Sequence, residues 1–271
     1  MTATVDLRHA DQGQGEPTFV LIHGLCCDHS DWQPQLDALS ASHRVITPTL
    51  RGHGGDGSAA ETLSMENLAT DVVAQMRAKG VTNAIVAGHS MGTRVVHEVL
   101  HQAPDLVSGI ILVDGSDSAF GDLDAAIAGF EAATADGQLK PWLRGLFEIM
   151  FYGDRFAELR DACVKRALAM PDENLRSLYR NMMRWDATKG ETQMRAITVP
   201  TLVIQSTTRG EDGIRRALNE GEMGHYPDLV KVRNTKAEFA LLAGHGHFTG
   251  LEAPDWTNEA IMTWAKRSGL L

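Results

Sequence analysis

Short, continuously apolar runs punctuate the first 114 residues: Phe19 to Ile22, Val45 to Thr47, Ala84 to Ala87 and Ile110 to Val113. Runs this short, without polar alternation, suit strands of a parallel sheet covered on both faces. Between them the pattern turns helical, near Trp32 to Leu39, Met65 to Ala78 and Gly92 to Gln102. Strands alternating with helices predict βαβ units. The alternation resumes late, with strands at Thr201 to Ile204 and Phe239 to Leu242 and a closing helix over Trp256 to Lys266. The sheet is therefore interrupted, not finished, at residue 114.

From about Asp117 to about Ile197 there are helix-like stretches and no strand-like runs. The expected organisation is a core over 1–116, an inserted helical cap over 117–197 and the remainder of the core over 198–271. That cap holds nine of the 16 aromatic residues, together with Met150, Met182 and Met183. Singly, such residues mostly pack into a local core. As a cluster they suit a lid over an apolar pocket, with Trp142, Phe147, Phe151 and Trp185 as the candidate substrate contacts.

Composition narrows the function classes. At 271 residues, 43% hydrophobic and 22% charged, the chain can bury a core and suits one globular domain with an insertion. A formal charge of -10 without any basic run repels nucleic acid. No basic leader precedes an apolar stretch, and no window approaches the ~18 apolar residues that span a bilayer. Of three cysteines, Cys26 and Cys27 are adjacent and Cys163 is left over, which favours reduced thiols. On these features a soluble, cytoplasmic chain with no nucleic-acid or membrane partner is expected, with the oligomeric state open; a small-molecule substrate and no cofactor are expected from the motifs, not from composition.

The chemistry concentrates in three places. Gly88-His89-Ser90-Met91-Gly92 follows an apolar strand and precedes a helix. That is the setting of a nucleophile elbow, a serine on a strained turn where a Cβ at either flanking glycine would crowd the bend. His23-Gly24-Leu25 follows the strand Phe19 to Ile22, so the N–H groups of Leu25 and Met91 are candidates to hold an oxyanion. Gly244-His245-Gly246-His247-Phe248 lies in a loop after the strand Phe239 to Leu242 and supplies the base that a serine nucleophile needs. His247 is the expected base, with His245 the alternative in a shifted loop register. A histidine base must be neutral, so activity is expected to rise with pH through the histidine range.

With these motifs in place the chain resembles the α/β-hydrolase superfamily over essentially its whole length. The resemblance rests on His23-Gly24, Leu50-Arg51-Gly52-His53-Gly54, Gly88-His89-Ser90-Met91-Gly92, and Gly246-His247 followed by Glu252-Ala253-Pro254. It implies a mostly parallel sheet of about eight strands, a cap after strand six, and a triad in the order serine, acid, histidine. Ser90 and His247 occupy the family's serine and histidine positions. The acid departs from the common layout, because Arg209 stands where most relatives carry an aspartate after the strand that follows the cap. Some branches, including certain lactone and amide hydrolases and cofactor-free dioxygenases, place it at the end of strand six, which here is Asp114. Glu211 and Asp212 are rival acids, and Asp114 could instead cap a turn. Thr49, where many relatives carry aspartate, is a second departure. Cys26 and Cys27 lack a placed base and fit small-residue packing better than catalysis.

His97-Glu98-Val99-Leu100-His101 also spells the helix signature of zinc proteases. On a helix Val95, Val96, Val99 and Leu100 share one face, so His97, Glu98 and His101 are expected to point away from the core. No third ligand follows. The expected activity is hydrolysis of a small, apolar or aromatic ester or lactone through an acyl-enzyme at Ser90. Cofactor-free oxygenation, C–C hydrolysis, perhydrolysis and ligand reception on the same fold are the alternatives.

Overall fold

A computed structural model of the chain describes residues 3–117, 122–210 and 213–271. Phe120 and the rival acids Glu211 and Asp212 lie outside the described residues.

Among the described residues the main sheet has seven strands, against the roughly eight expected. They are β1 (His9–Gln12), β2 (Thr18–Ile22), β3 (Val45–Pro48), β4 (Ala84–His89), β5 (Val107–Val113), β6 (Thr201–Gln205) and, after a small antiparallel hairpin of β7 (Thr207–Arg209) and β8 (Arg215–Ala217), β9 (Glu238–Leu241). The spatial order is β1-β3-β2-β4-β5-β6-β9, and all neighbours are parallel except β1 with β3. Two apolar layers sandwich the sheet because successive strand residues face opposite sides. On one face Val20, Ile22, Val86, Ile110, Leu112 and Val203 pack with α2 (Met65–Ala78) and α3 (Gly92–Gln102). On the other, Phe19, Leu21, Ile85, Ile111, Val113 and Ile204 pack with α1 (Gln33–Leu39) and, at the far end of the chain, α11 (Pro254–Arg267).

Between β5 and β6 the described elements are all helical: α4 (Leu123–Ala133), α5 (Leu139–Glu148), α6 (Ala157–Leu168), α7 (Asp172–Trp185), a π-helical turn (Asp186–Gly190) and α8 (Glu191–Arg195). Past β8 come α9 (His225–Arg233) and, after β9, the single turn α10 (Thr249–Glu252). The insertion joins the same apolar layer as α3, contributing Leu143, Phe147, Leu178, Met182 and Trp185.

The face of α3 expected to point outward is covered instead. His97 and Glu98 are 2% and 1% exposed, beneath the end of the insertion. The His97 ring stacks on Trp185 at 5.6 Å, and Glu98 accepts hydrogen bonds from Trp185 Nε1 at 2.8 Å and Gln193 Nε2 at 2.6 Å. His101 is exposed. The polar residues of this motif thus form a joint between core and insertion. Among the described residues no group of three or more His, Cys, Asp or Glu side chains is placed to hold a metal ion, and no helix is long and apolar enough to cross a membrane.

Candidate active site

Strand order reverses between β2 and β4: the chain builds outward from β2 to β3 on one side and through β4, β5, β6 and β9 on the other. Loops at the carboxyl ends of such strands diverge and leave a crevice where ligand-facing groups collect. The residues after β2, β4, β5 and β6 are His23, Ser90, Asp114 and Ser206, and the loop after β9 carries His247. Parallel pairing therefore gathers residues far apart in the chain at one edge of the sheet.

Ser90 sits between β4 and α3 with φ of 55°, the left-handed region that L side chains rarely adopt. The two glycines of the motif make this bend feasible. A Cβ on Gly88 would lie 2.3 Å from the Gly92 carbonyl oxygen, and one on Gly92 would lie 2.6 Å from that of Ile22. The bend is held by Ser90 N–H donating to the Val113 carbonyl at 2.9 Å. Cys26 and Asp114 share the same unusual backbone region, at φ of 60° and 43°. Strain at three positions around one crevice is the pattern of a site that the surrounding structure over-determines.

Asp114 is fully buried and its carboxylate is surrounded by donors. Its Oδ1 accepts from His247 Nδ1 at 3.2 Å, Thr207 Oγ1 at 2.5 Å and Gln205 Nε2 at 3.1 Å. Its Oδ2 accepts from the Ser206 N–H at 3.1 Å, from the Ser206 hydroxyl and from Thr249 Oγ1 at 3.3 Å. Burial alone would raise this carboxyl, but the His247 hydrogen bond, nearby Arg215 and Ser206 hold it below the usual carboxylate value. With Asp114 ionised, Nδ1 of His247 carries the proton and Nε2 is left as an acceptor. That Nε2 is buried and has no protein partner among the described residues. Desolvation, helped by the positive charge on Arg215, lowers His247 to about 3 against the opposing effect of Asp114.

The His247 loop is fixed from both sides. Its N–H donates to the Met150 carbonyl in the insertion at 2.6 Å, and its carbonyl accepts from His89 Nε2 at 2.8 Å. His245 hydrogen-bonds through Nδ1 with the Ala243 carbonyl at 3.0 Å and does not line the pocket beside Ser90. The loop after β2 lies against the elbow, since a Cβ on Gly24 would meet Ser90 Cβ at 3.2 Å. Within that loop His23 is structural: its Nε2 accepts from Leu50 N–H at 3.0 Å and its Nδ1 bonds to the Gly24 carbonyl at 2.8 Å. Cys26 and Cys27 are buried, and desolvation pushes both thiols up, Cys26 to about 12, far from a thiolate nucleophile. Thr49 bonds to His29 Nδ1 at 2.7 Å.

Ser90 and His247 border a pocket that is partly open to solvent. Its apolar wall comprises Leu25, Leu146, Phe147, Met150, Met182 and Phe248. Of the four aromatic contacts expected from the sequence, only Phe147 lines it. Phe151 stands behind, stacked on Phe248 with ring centroids 4.8 Å apart, and Trp142 stands behind Tyr179 at 4.9 Å. Trp185 is committed to His97 and Glu98. Residue type alone does not distinguish a pocket wall from its backing. Arg209, Arg215, Ser116 and Tyr179 also line the pocket without being expected there from sequence. Only Arg209 carried a signal, by standing where relatives have an acid.

The sequence profile of the alpha/beta hydrolase family matches residues 19–260. The chain is 27% identical over 255 residues to a dihydrolipoyllysine-residue acetyltransferase component of the acetoin cleaving system from Pseudomonas putida, covering 94% of this chain but 65% of that protein. It therefore spans less than two thirds of that relative's length. It is 28% identical over 193 residues to 3-oxoadipate enol-lactonase 1 of Acinetobacter baylyi, covering 70% and 71% of the two chains. A thermophilic esterase from Thermogutta terrifontis superposes with a TM-score of 0.79 at 20% identity over 97% of this chain and 93% of its own, a likeness of fold.

Proposed function

Because the chain belongs to the α/β-hydrolase family, we propose that it is a serine hydrolase that cleaves a small ester or lactone through an acyl-enzyme at Ser90. The observation that carries this reading is His247. Its Nδ1 is engaged by the Asp114 carboxylate, its buried Nε2 has no protein partner among the described residues, and the residue lines the same pocket as Ser90. An imidazole held in that tautomer is the base that a serine hydroxyl requires.

In the first half-reaction Ser90 Oγ attacks the substrate carbonyl and His247 Nε2 takes its proton. The carbonyl oxygen becomes an oxyanion, for which the N–H groups of Leu25 and Met91 are the donors; neither makes a backbone hydrogen bond among the described residues. His247 then returns the proton to the leaving alcohol, or to the ring oxygen of an opened lactone. In the second half-reaction it deprotonates water, which attacks the acyl-enzyme and releases the acid and Ser90. Asp114 holds Nδ1–H throughout and stabilises the imidazolium as it forms. The apolar wall suits the body of the substrate, and an enol-lactonase among the relatives supports the lactone.

The test uses a fluorophosphonate and a p-nitrophenyl ester. Covalent labelling at Ser90 alone, with turnover abolished in Ser90→Ala, is the expected result. Labelling at Cys27, or turnover retained in Ser90→Ala, would discard the acyl-enzyme at this serine.

A further inference from the structure

The pocket beside Ser90 has a basic feature that the hydrolytic steps leave unused. Arg215, on β8, lines it with a side chain that is 10% exposed. One end of the guanidinium is committed: Nη1 donates to Thr207 Oγ1 at 2.6 Å and contacts Asp114 Oδ1 at 3.4 Å. The contact with Asp114 is the longest that this carboxylate makes, and its other donors already occupy both oxygens. Asp114 is thus an incomplete counter-ion for Arg215. Nε and Nη2 make no hydrogen bond within the protein among the described residues. Those two nitrogens form one edge of the guanidinium, with parallel N–H bonds spaced to meet the two oxygens of a carboxylate.

Neighbouring groups reinforce the demand for an anion. Arg209 lines the same pocket and its charge adds to that of Arg215; together with desolvation it lowers the Arg215 pKa. The Tyr179 ring is wedged against Phe130 at 4.5 Å and Trp142 at 4.9 Å, and its hydroxyl has no hydrogen-bond partner among the described residues. Tyr179 also lines the pocket. A cation withdrawn from water is costly unless an opposite charge meets it, so an arrangement that leaves an open guanidinium edge and an unused hydroxyl on residues lining one pocket favours a bound anion. A planar, singly charged partner matches one guanidinium edge and one hydroxyl better than a phosphate dianion does.

We propose that Arg215 and Tyr179 form a carboxylate-binding subsite, so that the substrate is an ester or lactone carrying a free carboxylate, which this subsite holds while the scissile carbonyl meets Ser90. The identity of the reacting bond rests on the hydrolase reading above; the anion subsite does not.

Two measurements on the full chain separate these claims. In the first, calorimetry compares glutarate, its neutral dimethyl ester and inorganic phosphate as ligands of the wild type, Arg215→Lys, Arg215→Met and Tyr179→Phe. In the second, kcat/KM is compared for the mono-p-nitrophenyl ester of glutaric acid and for p-nitrophenyl valerate, a neutral ester of similar length. The wild type is expected to bind glutarate over the dimethyl ester and to prefer the anionic ester by on the order of 10- to 100-fold, as a charge-assisted bidentate contact provides. That preference should fall to about one in Arg215→Met, be intermediate in Arg215→Lys and fall several-fold in Tyr179→Phe, which keeps the ring packing. A wild type without preference, or a loss in Arg215→Met equal for both esters, would assign Arg215 to Asp114 alone and overturn the proposal. Phosphate binding more tightly than glutarate would overturn the carboxylate. Glutarate binding that depends on Arg215, with neither ester turned over, would leave the subsite standing and remove the hydrolase reading.

Discussion

The imidazole of His247 is 1% exposed, with its Nδ1 on the same Asp114 oxygen that Arg215 contacts. A free histidine titrates near neutrality, and on that ground a rise in activity through the histidine range is expected from sequence. Burial alters this: with His247 lowered to about 3, the imidazole is already neutral at every pH above the acid range. Hydrolysis of a neutral ester is therefore expected to be level from about pH 5 to 8 and to fall only on further acidification, as the proton returns to Nε2. A kcat/KM profile that climbs through pH 6.5 would show His247 to be better solvated than this. Asp114→Asn keeps the shape but weakens the hold on the Nδ1–H tautomer, so kcat should drop on the order of 10³–10⁴-fold, by analogy with serine proteases. A drop of less than about tenfold would mean that the carboxylate chiefly shapes the strained turn at the end of β5.

At the scale of elements, α3 and the insertion are locked together by buried charge. Arg94 donates to both oxygens of Asp186 in the π-helical turn, at 2.8 and 2.6 Å, and to the Ser116 carbonyl at 2.6 Å. Removing the carboxylate takes two charge-assisted hydrogen bonds from a buried guanidinium, so Asp186→Ala should destabilise by about 3–5 kcal/mol, read from urea unfolding. A cost under about 1 kcal/mol would mean that water reaches Arg94. Trp185→Phe deprives Glu98 of a donor while keeping the aromatic packing. It should cost about 1–3 kcal/mol in the same assay yet leave ester turnover near that of the wild type. Loss of turnover without loss of stability would return Trp185 to the substrate pocket. Core strands were legible because their apolar runs are continuous. By contrast β1, β7 and β8 are short and partly exposed, with sequences HADQ, TTR and RRA, so no period marks them.

For the molecule as a whole, buried histidines dominate the acid response. His23, His53, His89, His97 and His247 are all lowered, with desolvation the leading cause at each, and His53 and His97 fall to about 4. Unfolding returns them to the ordinary value of 6.5, so below that pH the unfolded chain binds more protons than the folded one. Stability then falls as pH drops from about 6.5 toward 4. Glu252, pushed up to about 7 by burial, acts in the opposite sense between about 4.5 and 7, but as one group against five. The urea midpoint should be lower at pH 5.0 than at pH 7.5 at fixed ionic strength. An equal or higher midpoint at pH 5.0 would mean that these rings are hydrated.

Sequence alone determined what local rules can carry. Continuous apolar runs marked the buried strands, and an elbow that needs glycine on both sides of Ser90 marked itself by its local sequence, as did the histidine loop. What tertiary structure decided are the pairings across the sheet. Asp114 and His247 are 133 residues apart and meet because β5, β6 and β9 are neighbours. Which aromatic residues face the pocket, and that Arg215 stands at it with an open edge, depend on how the insertion and the β7–β8 hairpin settle over that edge. No local pattern encodes this, because side-chain direction at a polar three-residue strand is set by the strand it pairs with and not by its own sequence.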